Sequence, residues 1–297
     1  MKKLITLIVL LNSITFTQQG FVRKFDYRND ITLTRVAQST QYFDKIGQKA
    51  ALMGFENGSF EFWIWPWKDL KNFDLQFFIG SSTQPIQSKE IVKEITVTPN
   101  ATIISFVYES FTINEIIFIP YNQTASIILL DVKTTIPLSI VPGFIPVMQP
   151  QWPAGIGGQY SYWNNELNAY VISESQRRGT FLCGSPFAKQ MTAPPAHMFA
   201  DSPIQFRIDI KPNDTNNFLP IIIAGIPQKN KFDDVKNYYN SILKNVEKLF
   251  YETKNYYIDL LNNTINISTP NEKLNLAFKL GKIALKNLLV ENPNLGK

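Results

Sequence analysis

Hydrophobic and polar residues alternate in short runs from residue 21 to about residue 227. The runs are rich in β-branched and aromatic residues, and Gly, Pro, Asn and Asp separate them. Such runs between turn residues are typical of β-strands. Because no helical period of 3.6 lies between them, they predict antiparallel sheets stacked as a sandwich. The predicted strands are residues 31–36, 60–67, 74–80, 91–97, 102–108, 111–119, 126–133, 138–144, 169–173, 179–183, 204–210 and 219–224.

The segment 58–68 has an unusual share of the tryptophans. Trp63, Trp65 and Trp67 lie at period two, so a single strand over 60–67 would place all three rings on one face. The phenylalanine and isoleucine residues between them would share the other face. A strand that is apolar on both faces is normally covered on both sides. We therefore predict that the three tryptophans pack at a contact between domains, and a ligand groove is the alternative.

The pattern changes at about residue 231. Apolar residues then recur at the three-and-four spacing of an amphipathic helix, from Phe232 to about Leu260. A second helix is predicted over 271–291, with Thr269 as its cap, Pro270 in its first turn and Glu272 completing a capping box. Its apolar residues cover more than a surface stripe, and a helix of that kind is usually buried by several neighbours.

The first residues have the character of a secretory signal peptide. A basic start at residues 1–3 precedes an apolar stretch at 4–11 that is too short to span a membrane, and a polar exit follows. The single cysteine, Cys183, excludes an intramolecular disulfide, and we interpret it as a small buried hydrophobic residue. An exported chain without a disulfide fits a periplasm or a bacterial cell surface.

The predicted organisation has four parts. They are a signal peptide at 1–20, a β-sandwich domain at 21–228, a linker helix and connection at 229–268, and the first helix of a truncated helical domain at 269–297.

The composition is that of a globular protein with a core and argues against nucleic-acid binding. Apolar residues make up 44% of the chain. The 29 basic and 24 acidic residues give +5, and removal of Lys2 and Lys3 with the leader would leave 5 − 2 = +3. A charge this small and evenly spread lacks the basic clusters that phosphate contacts need.

A glycine-rich aromatic stretch at 144–163 is the candidate binding site. Sugar rings stack their C–H faces on aromatic side chains, while their hydroxyls seek polar neighbours. Trp152, Tyr160 and Trp163 offer the aromatic faces, and Gln159 offers the polar group. The glycines break the strand pattern, so we predict an irregular loop here. Long loops in compact domains are often functional, which makes this loop a candidate binding site. The alternative is a loop that only plugs the edge of the sandwich.

Catalytic chemistry is weakly supported. Glycoside hydrolysis needs two carboxyl groups on either side of one bond. The candidates within the chain are Glu56, Glu61, Asp69, Glu166 and Glu174. Each could equally be structural, and we assign none of them to catalysis. The only histidine, His197, has no cluster of ligands at metal-binding spacing, so the sequence implies no metal and no cofactor.

The order of these features resembles the N-terminal part of bacterial amylo-α-1,6-glucosidase-like proteins, the glycogen-debranching relatives among the six-hairpin glycosidases. The segments that carry the resemblance cover nearly everything after the leader, and none is a catalytic signature. They are residues 54–68 (GFENGSFEFWIWPWK), 152–155 (WPAG) with Trp163, 184–186 (GSP), 221–225 (IIIAG) and 292–296 (NPNLG).

The resemblance implies an antiparallel β-supersandwich followed by two C-terminal helices that begin a truncated α/α toroid. In such proteins the toroid holds the acid and base carboxylates and follows the segment that matches 292–296. We therefore expect a non-catalytic N-terminal portion of an exported glycoside hydrolase. Its expected partners are an α-glucan or another carbohydrate, and the missing catalytic (α/α)6 domain in cis or in trans. The alternatives are a stand-alone carbohydrate-binding module and a cell-surface assembly protein.

Overall fold

The structure is a computed structural model that describes residues 22–150, 158–193, 202–212 and 216–293. The predicted signal peptide, Trp152 and His197 lie outside the described residues. The described strands are β1 Val22–Arg23, β2 Leu33–Val36, β3 Tyr42–Ile46, β4 Ala50–Phe55, β5 Phe60–Ile64, β6 Trp67–Ile79, β7 Ile86–Gln87, β8 Val92–Val97, β9 Thr102–Tyr108, β10 Phe111–Phe118, β11 Ala125–Thr134, β12 Leu138–Pro150, β13 Gln159–Asn164, β14 Ala169–Glu174, β15 Thr180–Gly184, β16 Ala188–Gln190, β17 Ile204–Ile210 and β18 Asn217–Ile226. The described helices are α1 Ser88–Ile91, α2 Phe232–Lys244, α3 Val246–Asn262 and α4 Glu272–Asn287.

The strands form two antiparallel sheets, which confirms the predicted fold class. The ten-stranded sheet has the order β13-β14-β15-β18-β11-β10-β9-β8-β2, with β1 added beside β18. The eight-stranded sheet has the order β16-β17-β12-β6-β5-β4-β3, with β7 added beside β6. Their facing sides enclose one large core, to which β6 contributes Phe77, β10 contributes Ile113 and β12 contributes Phe144.

The ten-stranded sheet is buried on its other face as well. Ile128 of β11 points into the core between the sheets, and its neighbour Ile127 points outward into a second apolar cluster. Helices α2 and α3 close that second cluster with fully buried side chains that include Val235 and Phe250. The Phe250 ring meets the Phe118 ring of β10 edge to face, with 5.2 Å between centroids. The fold is therefore three layers of helices, ten-stranded sheet and eight-stranded sheet.

The predicted tryptophan strand is two strands, so the prediction that the three rings share a face is wrong. Ile64 pairs with Trp67 across a turn at Trp65 and Pro66, whose peptide bond is cis. Proline has no N–H to donate to a ladder, which is compatible with a turn and not with a central strand. Trp67 is 5% exposed in the core between the sheets, and Trp63 lies half-buried on the outer face of the eight-stranded sheet.

The predicted linker helix is broken at Asn245, which ends α2 and begins α3. Its N–H donates to the Ile242 carbonyl (3.1 Å), and its own carbonyl accepts from the Leu249 N–H (2.8 Å). The apolar period continues through the break, because α2 and α3 both pack an apolar face on the ten-stranded sheet. Hydrophobic spacing alone therefore predicted the covered face correctly and missed the end of the first helix.

Helix α4 is held loosely in comparison. Asn271, and not Thr269, is its cap, because the Asn271 side chain accepts from the N–H groups of Lys273 and Leu274 at 3.1 and 3.2 Å. Ile283 is the buried residue of this helix, and it packs with Tyr257 and Leu261 of α3. Four leucines on the helix or directly after it are exposed: Leu274, Leu285, Leu288 and Leu289.

One core position conflicts with its surroundings. Glu115 of β10 is fully buried between the sheets, and neither carboxylate oxygen has a hydrogen-bond partner within the described residues. Burial raises the pKa of Glu115 to about 8, because the charged form is desolvated. The folded protein therefore holds a proton on Glu115 at neutral pH that the unfolded chain, with an ordinary glutamate pKa, releases.

We predict that Glu115→Gln reduces the pH dependence of stability between pH 5 and 8. In the wild type the unfolding free energy should fall by on the order of 3–4 kcal/mol as pH rises through this window, since only the unfolded state loses the proton. Urea titrations at several pH values measure it, with Glu109→Gln, an exposed position on the turn between β9 and β10, as the control. Parallel curves for wild type and Glu115→Gln would contradict the prediction.

Candidate functional site

The described part of the predicted aromatic site, Gln159 to Trp163, lies on strand β13 and not on a loop. The pairing of β13 with β14 runs from Gln159 opposite Glu174 to Asn164 opposite Ala169, so this edge of the ten-stranded sheet is regular. The glycines before residue 159 suggested a loop, but they precede the strand and do not interrupt it. The prediction of an irregular stretch through residue 163 is therefore wrong.

Alternation along β13 separates the candidate residues. Trp163 faces the core between the sheets, where its ring meets Tyr170 edge to face with 4.9 Å between centroids. Gln159 lies on the same side of the strand and donates from Nε2 to the Pro146 carbonyl (2.9 Å). Tyr160 lies on the opposite side, where its hydroxyl accepts from Arg177 Nε (3.2 Å). The structure thus brings Gln159 and Trp163 to one face and leaves Tyr160 on the other.

Two of the five candidate carboxylates are enclosed in structural hydrogen bonds. Glu56 forms an ion pair with Arg35 and accepts from the Gln38 N–H (2.8 Å). Glu174 closes the turn between β14 and β15 by accepting from Arg178 Nη2 (2.8 Å) and the Gln176 N–H (2.9 Å). Burial opposes ionisation of Glu174, but these bonds outweigh it and hold its pKa below the ordinary value.

The other three carboxylates differ in environment. Asp69 is buried and accepts from the Ile64 backbone, and desolvation raises the pKa of Asp69 well above its usual range. Glu166 is two-thirds exposed and pairs with Lys236. Glu61 lies on the outer face of the eight-stranded sheet, where it accepts from Trp63 Nε1 (2.8 Å) and pairs with Lys68.

Glu61 belongs to a groove that the sequence analysis missed. We name it the Tyr42 groove, a cleft of about 630 Å³ at the free edge of the eight-stranded sheet. Strands β3, β4, β5 and β6 contribute its walls. It is lined by Tyr42, Phe43, Asp44, Met53, Gly54, Phe55, Ser59, Phe60, Glu61 and Asn72.

An aromatic pair forms one wall of the groove. Tyr42 lies directly opposite Phe55 in the ladder between β3 and β4, and the two ring centroids are 4.5 Å apart with planes inclined by 31°. Tyr42 is 77% exposed, so most of this aromatic surface faces solvent. The next pair outward along the ladder, Asp44 opposite Met53, continues the wall toward Glu61.

The edge strand escaped prediction because a lysine occupies a core position. In β3 the inward residues are Phe43 and Lys45, and a buried lysine breaks the apolar alternation that marks a strand. The Lys45 ammonium donates to the Thr98 carbonyl (2.8 Å), and desolvation lowers the pKa of Lys45 to about 8. The sequence carries no signal for the groove, because Tyr42 and Phe55 meet only through the register of β3 and β4.

Among the described residues, no group of three or more His, Cys, Asp and Glu side chains could hold a metal ion. No helix in the described ranges is both long and apolar enough to cross a membrane.

Comparison with known proteins identifies relatives by fold alone. No protein-family profile and no curated protein matches the chain. The chain aligns with a bacterial glucoamylase solved with acarbose over 90% of its length, at 13% identity and a TM-score of 0.56. It also aligns with a protein from the human microbiome, provisionally named a kojibiose phosphorylase, over 90% of its length at 6% identity and a TM-score of 0.54.

The chain spans less than half of each of these structures, 44% of the glucoamylase and 42% of the microbiome protein. The similarity shows that the chain shares the fold of the aligned part of these two structures.

We predict that Glu174→Gln lowers stability at neutral pH by about 1–3 kcal/mol, because it removes the charge from a buried, hydrogen-bonded carboxylate. The folded pKa of Glu174 is lowered, so its contribution is complete above the unfolded-state pKa and is lost as pH falls through the folded value. Urea midpoints at pH 7 and pH 3 measure the difference. The matched control is Glu166→Gln, whose exposed ion pair should be worth less than about 0.5 kcal/mol. Equal effects of the two variants would contradict a structural role for Glu174.

Proposed function

We propose that the chain is the non-catalytic N-terminal portion of an exported glycoside hydrolase of the glycogen-debranching type. The observation that carries the proposal is the three-layer fold, which aligns over 90% of this chain with a glucoamylase of which it spans only 44%. The remaining part of such an enzyme would hold the catalytic carboxylates. This chain would then act as the scaffold on which the helical domain packs.

The engagement of the carboxylates supports the non-catalytic assignment. A glycosidase needs one proton-donating and one ionised carboxyl group flanking an open sugar site. Glu56 and Glu174 are already occupied by structural partners, and Asp69 is buried. Glu61 is exposed to a groove but is neutralised by Lys68. Within the described residues, the five candidates therefore do not provide an acid and a base at one site.

Helix α4 supports the proposed partner, a catalytic (α/α)6 domain in cis or in trans. Leu285 and Leu288 are 70% and 74% exposed on successive turns, although both are residues that gain free energy from burial. A helix whose apolar side is uncovered in isolation is expected to pack against further helices. In this proposal the exposed side of α4 is the start of the toroid.

Trp63 and Trp65 remain candidates for packing between domains. Trp65 lines a cavity of about 230 Å³ together with Glu291 and Pro293, so the turn after β5 lies beside the segment that follows α4. The Glu291 N–H also donates to the Gln48 carbonyl (2.7 Å). A helical domain that continues from this segment would begin next to the Trp65 ring.

A stand-alone carbohydrate-binding module is the second candidate function. The Tyr42 groove favours it, because the groove combines an open aromatic surface with carboxylates and needs no helical domain to form. Sugar binding by the isolated chain is compatible with both functions. They differ in whether a catalytic domain exists.

The deciding experiment is to read the coding sequence that adjoins codon 297 and to assay the purified chain. The proposal expects a helical array with paired acidic residues encoded next to this chain, and no release of glucose from α-glucans by the chain alone. An unrelated neighbouring gene would favour the module, and clear hydrolysis by the chain would overturn the non-catalytic assignment. N-terminal sequencing of the exported protein tests cleavage near residue 20.

We predict that Leu285→Lys with Leu288→Lys changes the unfolding free energy by no more than about 0.5 kcal/mol, because both side chains are exposed. The same variant should capture a co-expressed helical domain at least tenfold less than the wild type in a pull-down. Ile283→Ala is the contrasting variant, since Ile283 is buried against α3 and its truncation should cost about 2 kcal/mol or more. Equal capture by wild type and the double lysine variant would exclude α4 as the interface.

A further inference from the structure

The Tyr42 groove has the features of a ligand site: a cleft of about 630 Å³ with an aromatic wall and carboxylates. Its aromatic wall joins Tyr42, which is 77% exposed on the edge strand β3, to the half-buried Phe55 of β4. An exposed aromatic residue on an edge strand is a liability, because it offers an apolar surface beside unpaired backbone groups. A ligand that covers the rings would offset that cost.

The groove contains two carboxylates that can accept further hydrogen bonds, Asp44 and Glu61. Asp44 is exposed beside Tyr42, and no hydrogen bond or ion pair engages its carboxylate within the described ranges. Glu61 across the sheet is fixed in orientation by Trp63 and Lys68, and a carboxylate retains capacity for further donors. The groove therefore presents acceptors to whatever lies on its aromatic wall.

A bulge in β6 adds a further polar group. Phe60 pairs with Phe73 and Phe62 with Leu70, so β6 has one more residue than β5 between the two pairs. Asn72 lies in this bulge at a φ of 53°, in the left-handed region that asparagine tolerates better than most residues. Bulges redirect side chains and are frequent beside functional sites. Here the bulge places Asn72, which can donate and accept, at the rim of the groove.

We propose that the Tyr42 groove binds a neutral carbohydrate chain. The sugar rings would stack their C–H faces on Tyr42 and Phe55, and their hydroxyls would donate to Asp44 and Glu61. Charge favours a neutral ligand over an acidic polymer, because the groove presents the exposed Asp44 carboxylate and a Glu61 carboxylate that Lys68 pairs with. The proposal deepens the carbohydrate role proposed above, on which it rests, and locates binding on the sheet opposite β13.

The test is native affinity electrophoresis of the full chain in gels that contain soluble starch, pullulan, mixed-linkage β-glucan or mannan. We expect at least one of these polysaccharides to retard the wild type. Tyr42→Ala and Asp44→Ala should each weaken that binding at least tenfold. The matched control is Tyr162→Ala, which removes a 40% exposed tyrosine from β13 of the other sheet and should bind as the wild type does.

Binding by Tyr42→Ala and Asp44→Ala at wild-type strength would overturn the proposal, and so would the failure of all four polysaccharides to retard the wild type. If circular dichroism shows that Tyr42→Ala is unfolded, the binding measured for Asp44→Ala decides the test, because the exposed Asp44 side chain supports no described hydrogen bond. The two proposals can fail independently. An unrelated gene beside codon 297 would contradict the proposed function without affecting binding in the groove. Loss of binding in the groove would contradict this inference without affecting the evidence for an adjoining helical domain.

Discussion

The central strands of the ten-stranded sheet are apolar on both faces, and the arrangement of every other layer depends on covering both. At about 25 cal/mol per Å² of apolar surface removed from water, neither face can be left open without a large loss of stability. The eight-stranded sheet covers one face, and α2 and α3 cover the other with buried residues such as Val235 and Phe250. These two helices therefore belong to the folding unit of the sandwich, although they follow it in sequence.

This requirement explains the position of two exposed apolar surfaces, the outer face of the β3–β5 edge and the uncovered side of α4. Helices α2 and α3 are committed to the ten-stranded sheet, so the β3–β5 edge of the other sheet carries half-exposed side chains such as Phe55 and Trp63 on its outer face. Helix α4 packs Ile283 against α3, and Lys282 and Asn287 add hydrogen bonds to Leu261 and Tyr257. These contacts leave Leu285 and Leu288 uncovered. The first surface contains a shaped groove with polar groups. The second is a continuous apolar side of a helix, which suits a protein partner better than a sugar.

Hydrophobic period predicted the sandwich and the helices because burial sets the period directly. It failed where another interaction decided the local structure. Pro66 divides the tryptophan run into two strands, and Asn245 ends α2 inside an unbroken apolar pattern. The buried Lys45 interrupts the apolar alternation of β3, so the strand that carries Tyr42 was not predicted. The candidate site could not be predicted because its members come from β3, β4, β5 and β6, and only the register of those strands brings Tyr42 to Phe55.

Native-state hydrogen exchange of the isolated chain tests the central claim, that α2 and α3 are part of the sandwich core while α4 awaits a partner. The account predicts that amides of α2 and α3 exchange with the same free energy as those of β11 and β18, through global unfolding. Amides of α4 should exchange much faster, through local opening, because Ile283 is the buried residue of that helix. Protection of α4 equal to that of β11 would contradict the account, and so would α2 and α3 opening independently of the sheets.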